Sequence, residues 1–179
     1  TGHWADADML PLGHIGLRAE RGDDRQSRLT EDESRTLLAL WCMGRSPLMV
    51  GGDLPTSTSE TIELLANPAL REVTAGSTNN HETVYERIFE RWDDENSYLG
   101  DLVVWAADAA DWADGTPSAH SGGHYAAIFW TGDRDYELPA TIELQSIVGL
   151  SQRNDPWTIT NLFDDETNAT GETDVTGAR

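Results

Sequence analysis

A break at Ala75-Gly76-Ser77 limits what this chain can fold into more than any other feature. Before it, helix-period stripes alternate with short apolar runs; after it, every patterned segment reads as a strand. Strand and helix in alternation mark an α/β unit, and strands without helices mark an antiparallel sandwich. The expected fold is therefore α/β over residues 1–76 and all-β over residues 77–179. Two short strands and two helices cannot close a core alone, because one face of each strand needs a neighbour. The first part is expected to meet further structure.

The helices are marked by their ends. Thr30 and Glu33 have capping-box spacing, and Glu31 and Asp32 suit the positive end of a helix dipole. Leu37, Leu38 and Trp41 form an apolar stripe that Leu40 and Met43 widen. Gly44 is placed to supply a left-handed stop, and Pro47 forbids continuation. Leu48-Met49-Val50 then runs into Gly51-Gly52-Asp53-Leu54, which predicts a strand over 48–54 covered on both faces. Ser57 and Glu60 repeat the capping spacing and predict a helix over 58–66, with Ile62 and Leu65 facing inward and Asn67-Pro68 ending it. Residues 1–29 read as a strand end and a polar loop punctuated by Gly13, Gly16 and Gly22. Beyond the break, β-branched and aromatic residues concentrate at 83–92, 101–107, 124–130, 140–144 and 157–162, predicting five strands. The polar tail over 164–179 reads as loose chain or part of a further strand pair.

Charge narrows the partners. The chain carries a formal −20, from 32 acidic residues against 12 basic ones, all arginine. Such a surface repels nucleic acid and anionic membranes, and no run approaches the roughly 18 apolar residues of a membrane helix. The acids are scattered, which suits a solvated surface adapted to high salt; a cationic partner is the competing reading. Cys42, alone in an apolar helical stretch, reads as a buried thiol rather than a nucleophile. Asp93-Asp94-Glu95-Asn96 lacks the glycine a calcium loop needs and reads as a solvated turn. No phosphate loop, serine elbow or metal-ligating His/Cys spacing occurs, so no cofactor and no metal are expected. Asn168-Ala169-Thr170 fits the glycosylation pattern, which is common by chance.

The opening segment carries the chemistry. Asp6 and Asp8 sit two apart beside Trp4 and Met9. On an extended strand, residues two apart point to the same side. Glycoside cleavage with retention needs two carboxyl groups about 5–5.5 Å apart on opposite sides of the bond. A same-side pair suits a pocket wall better, so neither aspartate is assigned a catalytic role. A carboxylate accepts hydrogen bonds from sugar hydroxyls, and Met9 or Trp4 offers an apolar face to sugar C–H groups. Trp4 also reads as supporting core. His3 and His14 flank the motif. His14 reads as a loop histidine, with a pocket role as the alternative, and Asp53 as a cap on the following turn.

These segments resemble a known family. Trp4-Ala5-Asp6-Ala7-Asp8-Met9-Leu10 is similar to the Trp-Asn-Asp-Pro-Asp-Met-Leu signature of glycoside hydrolase family 27, the α-galactosidase family. The order over 29–54 also resembles that family: a Thr-Glu-Asp-Glu helix start, a Leu-Trp pair, a Ser-Pro-Leu strand and Gly-Asp-Leu. Glu63 to Val73 (ELLANPALREV) is similar to its next helix. The chain departs from the signature at Ala5 and Ala7. The resemblance implies a TIM barrel, (β/α)₈, followed by an antiparallel β-sandwich. Residues 1–76 would supply its last two βα units and 77–179 the sandwich, whole or truncated. It gives substrate-binding roles to Asp8 and Met9 and supporting roles to Trp4 and Asp6.

The activity implied is retaining cleavage of terminal α-D-galactosyl or related pyranosyl linkages. The partners implied are the carbohydrate substrate and a preceding barrel portion. The family's nucleophile and acid/base lie on earlier strands not among these residues, so the 179 residues alone are expected to be inactive. Two alternatives stand beside this reading. One is a sister barrel glycosidase with another sugar, allowed by Ala5 and Ala7. The other is a non-catalytic carbohydrate-binding or assembly module built on Trp92, Trp105, Trp112, Trp130 and Trp157. Those aromatics exposed on one face would favour the module, and burial between sheets a scaffold.

Overall fold

The computed structural model describes residues 4–18, 22–92, 95–132, 157–163 and 166–171. The predicted strand over 140–144 lies outside the described residues. Elsewhere the sequence pattern is largely followed, and the departures have local causes.

Leu10 and Val50 pair in parallel, with the Leu10 amide donating to Met49 O at 2.7 Å and the Gly51 amide to Leu10 O at 2.9 Å. Of the strand expected over 48–54 only two isolated bridges form, this one and an antiparallel bridge between Asp53 and His14. Nor is that run covered on both faces, since Met49 is 43% exposed. A small antiparallel pair, β1 (His14–Ile15) and β2 (Arg25–Gln26), follows Leu10.

Helix α1 (Glu31–Met43) starts as its sequence dictates: Thr30 accepts from the Glu33 amide, and the Glu33 side chain accepts from the Thr30 amide. Leu38, Cys42 and Met43 are buried, whereas Leu40 faces out. The left-handed residue at its end is Arg45, φ 53, and not Gly44, which stays right-handed at φ −73. Arg45 is held there by its guanidinium, which donates to the Ser77 and Ala75 carbonyls and stacks 4.4 Å above the Trp4 ring.

A 3₁₀ turn over Leu54–Thr56 leads to α2 (Ser59–Ala66). Its cap is Thr58 rather than Ser57, because the Ser57 hydroxyl is already taken: it donates to Asp53 O and accepts from the His14 amide. Consequently Leu64 and Leu65 pack inward, and Ile62 turns out. Asn67 ends α2 and caps a further helix, α3 (Pro68–Gly76), accepting from the Ala69 and Leu70 amides. An Asn-Pro pair suits both duties, since proline at the first helical position needs no amide partner.

From Ser77 the chain turns to strands. β3 (Ser77–Trp92), β4 (Glu95–Ala109) and β5 (His124–Trp130) form an antiparallel sheet in that order, and β6 (Trp157–Asn161) pairs with β7 (Glu166–Gly171). β3 and β4 run longer than predicted and absorb their length in three register shifts. One face of the sheet meets the helices. Ala107, Ala109 and Tyr125 share a core with Leu10, Leu12, Leu38, Cys42, Met43, Leu70 and Val73. The core thus crosses the break at residue 76, and the helices bury their stripes on the sheet. Glu72 on α3 adds a polar tie, accepting from the Ser118 hydroxyl at 2.8 Å and the Ala119 amide at 2.7 Å.

Candidate functional site

Asp8 lies two residues before the parallel bridge and is exposed. Its backbone is left-handed, φ 70, a conformation that costs a non-glycine residue about 1 kcal/mol or more. Three contacts hold it there. The Asp8 amide donates to Asp6 Oδ1 at 2.9 Å. Asp8 Oδ1 accepts from the Met9 amide at 2.7 Å. The Asp8 carbonyl accepts from Trp41 Nε1 at 3.2 Å. Upstream, the Ala7 amide donates to the Ser46 hydroxyl at 2.9 Å.

Asp8 is not extended, so the same-side rule for residues two apart on a strand does not apply to Asp6 and Asp8. Asp6 serves as a local acceptor beneath Asp8. Met9 is 57% exposed beside it, and Trp4 is 52% exposed against Arg45. Sequence reasoning missed Trp41 and Ser46 as supports. Trp41 reads as one more apolar residue of the helix stripe, and its indole N–H, which seeks an acceptor when half-buried, is the signal that points further.

The two segments that follow the bridge interlock around His14. A Cβ on Gly52 would fall 2.1 Å from the Leu12 carbonyl oxygen, and one on Gly13 2.1 Å from Ser57 Oγ. Only glycine permits these approaches. They bring the Asp53 amide to His14 O at 2.8 Å and the His14 amide to Ser57 Oγ at 3.0 Å. The His14 ring bridges Thr56 Oγ1, at 2.6 Å from Nδ1, and the Asp24 carboxylate at Nε2. Asp53 stands at the N-cap position of the 3₁₀ turn, but its carboxylate accepts from the Thr56 hydroxyl and not from a backbone amide of the turn.

A groove of 460 Å³ opens elsewhere, lined by Ser27, Leu29, Arg35, Glu60, Leu64 and Phe163 among others. None of Trp4, Asp6, Asp8 and Met9 borders it. Cys42 is buried, and burial pushes its thiol above the usual range, as an inert structural cysteine requires. Among the described residues no three His, Cys, Asp or Glu side chains cluster as a metal site would need. Trp105, Trp112 and Trp130 are half-buried. The exposed aromatics on the β3–β4 hairpin are Tyr85, Phe89 and Tyr98.

No protein-family model matches the sequence. A curated relative, the α-N-acetylgalactosaminidase of Rattus norvegicus, is 38% identical over 72 residues, 40% of this chain and 14% of that protein. The crystal structure of a putative α-N-acetylgalactosaminidase from Bacillus halodurans matches over 97% of this chain and 34% of its own, at 30% identity and a TM-score of 0.72. That of a family 27 β-L-arabinopyranosidase from Geobacillus stearothermophilus matches over 96% of this chain and 33% of its own, at 30% identity and a TM-score of 0.68. The relatives share one class of protein, the glycosidases. The chain belongs to glycoside hydrolase family 27. It spans about a seventh of the rat enzyme's length and about a third of each solved chain.

Proposed function

We propose that these residues form part of the sugar pocket of a family 27 glycosidase, with Asp8 and Met9 against the substrate and Asp6 and Trp4 behind them. In this reading residues 1–76 are the last two βα units of a (β/α)₈ barrel, and 77–179 are its antiparallel sandwich. The observation that carries it is Asp8 itself: a carboxylate kept in a strained backbone conformation beside the parallel bridge between Leu10 and Val50. Barrel pockets lie at the C-terminal ends of parallel strands, and strain of this kind gathers at ligand sites.

The sugars named for the relatives support a common substrate class. α-D-galactose, α-N-acetylgalactosamine and β-L-arabinopyranose share ring configuration and the geometry of the scissile bond. They differ only in the groups on C2 and C5. An exposed carboxylate that accepts from ring hydroxyls recognises what the three have in common. The reaction proposed is removal of a terminal α-D-galactosyl or related pyranosyl group with retention, through a covalent glycosyl intermediate. The two carboxyl groups that flank the bond would come from barrel strands outside these 179 residues. This chain supplies binding and orientation rather than the nucleophile.

The test compares the isolated 179 residues with the complete enzyme on a chromogenic α-D-galactoside, following the anomer released by NMR. The complete enzyme is expected to release the α-anomer first and the isolated chain to release nothing. Hydrolysis by the isolated chain, or inversion by the complete enzyme, overturns the reading.

A second reading, a carbohydrate-binding or assembly surface, is favoured by Tyr85, Phe89 and Tyr98, all more than half exposed, with Phe89 and Tyr98 edge to face at 5.7 Å. It rests on these residues and not on the tryptophans of the sequence-based expectation. Retardation of the chain in a galactomannan gel, lost in a Tyr85→Ala, Phe89→Ala variant, is its expected sign, and equal mobility of both with and without polysaccharide refutes it.

A further inference from the structure

We propose that His14 is a positioning residue that fixes the rim of the sugar pocket by clamping the segment after Leu10 to the segment after Val50. The inference rests on the reading of Asp8 and Met9 as sugar-binding residues and adds to it the device that sets their distance from the neighbouring segment.

Four contacts converge on this one residue, two from its backbone and two from its ring. The backbone contacts, to Asp53 and Ser57, extend the pairing begun by Leu10 and Val50 and make His14 and Asp53 an antiparallel bridge. The ring contacts go to Thr56 on the second segment and to Asp24 on the far arm of the loop. Gln26 adds a bond from the β2 side to Thr56 O at 3.2 Å. His14 thus ties its own segment to two others, 53–57 and the arm that carries Asp24. Its side chain is 18% exposed, while that of Asp24 is 60% exposed, so the ring is half-buried and its bond to Asp24 faces solvent.

Asp8 and Met9 are anchored at their lower end by Asp6, Trp41 and the Leu10 bridge. Downstream of Leu10, the next tie to the second segment is His14. Releasing it would let residues 11–29 and 52–58 separate while leaving Asp8 in place. Substrate and transition state would then lose the same wall contacts. Such uniform loss raises KM and leaves kcat nearly unchanged.

The amide of asparagine can replace Nδ1 of histidine but cannot reach as far as Nε2. His14→Asn should therefore keep the Thr56 bond and lose the Asp24 bond, and His14→Ala should lose both. The experiment measures kcat and KM of the complete glycosidase on an α-D-galactoside and a β-L-arabinopyranoside for wild type, His14→Asn, His14→Ala and the double variant His14→Ala, Asp24→Asn. Backbone hydrogen exchange at His14 and Asp53 is followed in the same proteins.

His14→Ala is expected to raise KM about three- to tenfold, with kcat within about twofold, and to speed exchange at both amides. His14→Asn should recover at least half of the KM loss on a logarithmic scale. Adding Asp24→Asn to His14→Ala should change nothing further, because the bond is already gone. Unchanged KM and exchange in His14→Ala, or a fall in kcat at constant KM, overturns the proposal. Should the wild-type enzyme cleave neither sugar, the reading of the pocket fails, and exchange at His14 and Asp53 alone decides whether the clamp exists.

Discussion

Asp8 shows how a single residue can be held against its own preference. Its amide, carbonyl and carboxylate are each engaged, and together they keep φ at 70. Glycine adopts that conformation without steric cost, and a β-branched residue does so least well. Asp8→Gly is therefore expected to leave the urea unfolding free energy within about 1 kcal/mol of wild type, and Asp8→Val to lower it by about 2 kcal/mol more than that. Equal stabilities for the two would mean that the backbone there is not strained.

Other residues show what local sequence can and cannot give. The Thr30–Glu33 box was legible because both partners lie within one helical turn. The cap of α2 was misplaced by one residue because Ser57 is engaged by His14, 43 positions away. The left-handed turn fell on Arg45 rather than Gly44 for the same kind of reason, since Ser77 and Ala75 hold its guanidinium from a distance of some thirty residues. Candidate residues Asp6 and Asp8 were legible as a motif, but the left-handed backbone at Asp8 was not, because Trp41 contributes to it from α1.

Among the elements, position was easier to read than extent. Periodicity located α1, α2 and most of the strands of the sheet. It did not mark α3 as separate from α2, although Asn67-Pro68 ends one helix and opens the next with the same side chain. The strand over 48–54 shrank to two isolated bridges because Gly52 and Asp53 turn toward Leu12 and His14. Where helices meet sheet, the polar tie is Glu72. It is 15% exposed in its side chain and accepts two bonds from the loop that carries Ser118. Truncation leaves a buried serine hydroxyl and an amide in want of an acceptor. Glu72→Ala is expected to cost about 1–3 kcal/mol in urea unfolding, and Glu72→Gln, which retains the acceptor oxygen, markedly less. Equal losses would assign the effect to charge rather than to the hydrogen bonds.

For the whole molecule, charge matters most. A formal −20 is self-repulsion that compaction concentrates, and screening relieves it. The melting temperature should rise with added potassium chloride over the molar range; a maximum in salt-free buffer would contradict this. Exposed apolar side chains are spread over the described residues: Met9, Met49 and Leu54 lie near the Leu10–Val50 bridge, Leu40 and Ile62 on the helices, and Tyr85, Phe89, Tyr98 and Ile128 on the sheet.

The central claim is that Asp8 binds the sugar. The most direct measurement is kcat/KM of the complete enzyme on an α-D-galactoside, wild type against Asp8→Asn, a change that removes charge and preserves shape. The account expects a fall of about 10- to 100-fold, the size of a lost hydrogen bond to a charged group. An active wild-type enzyme whose kcat/KM stays within twofold in Asp8→Asn would contradict it.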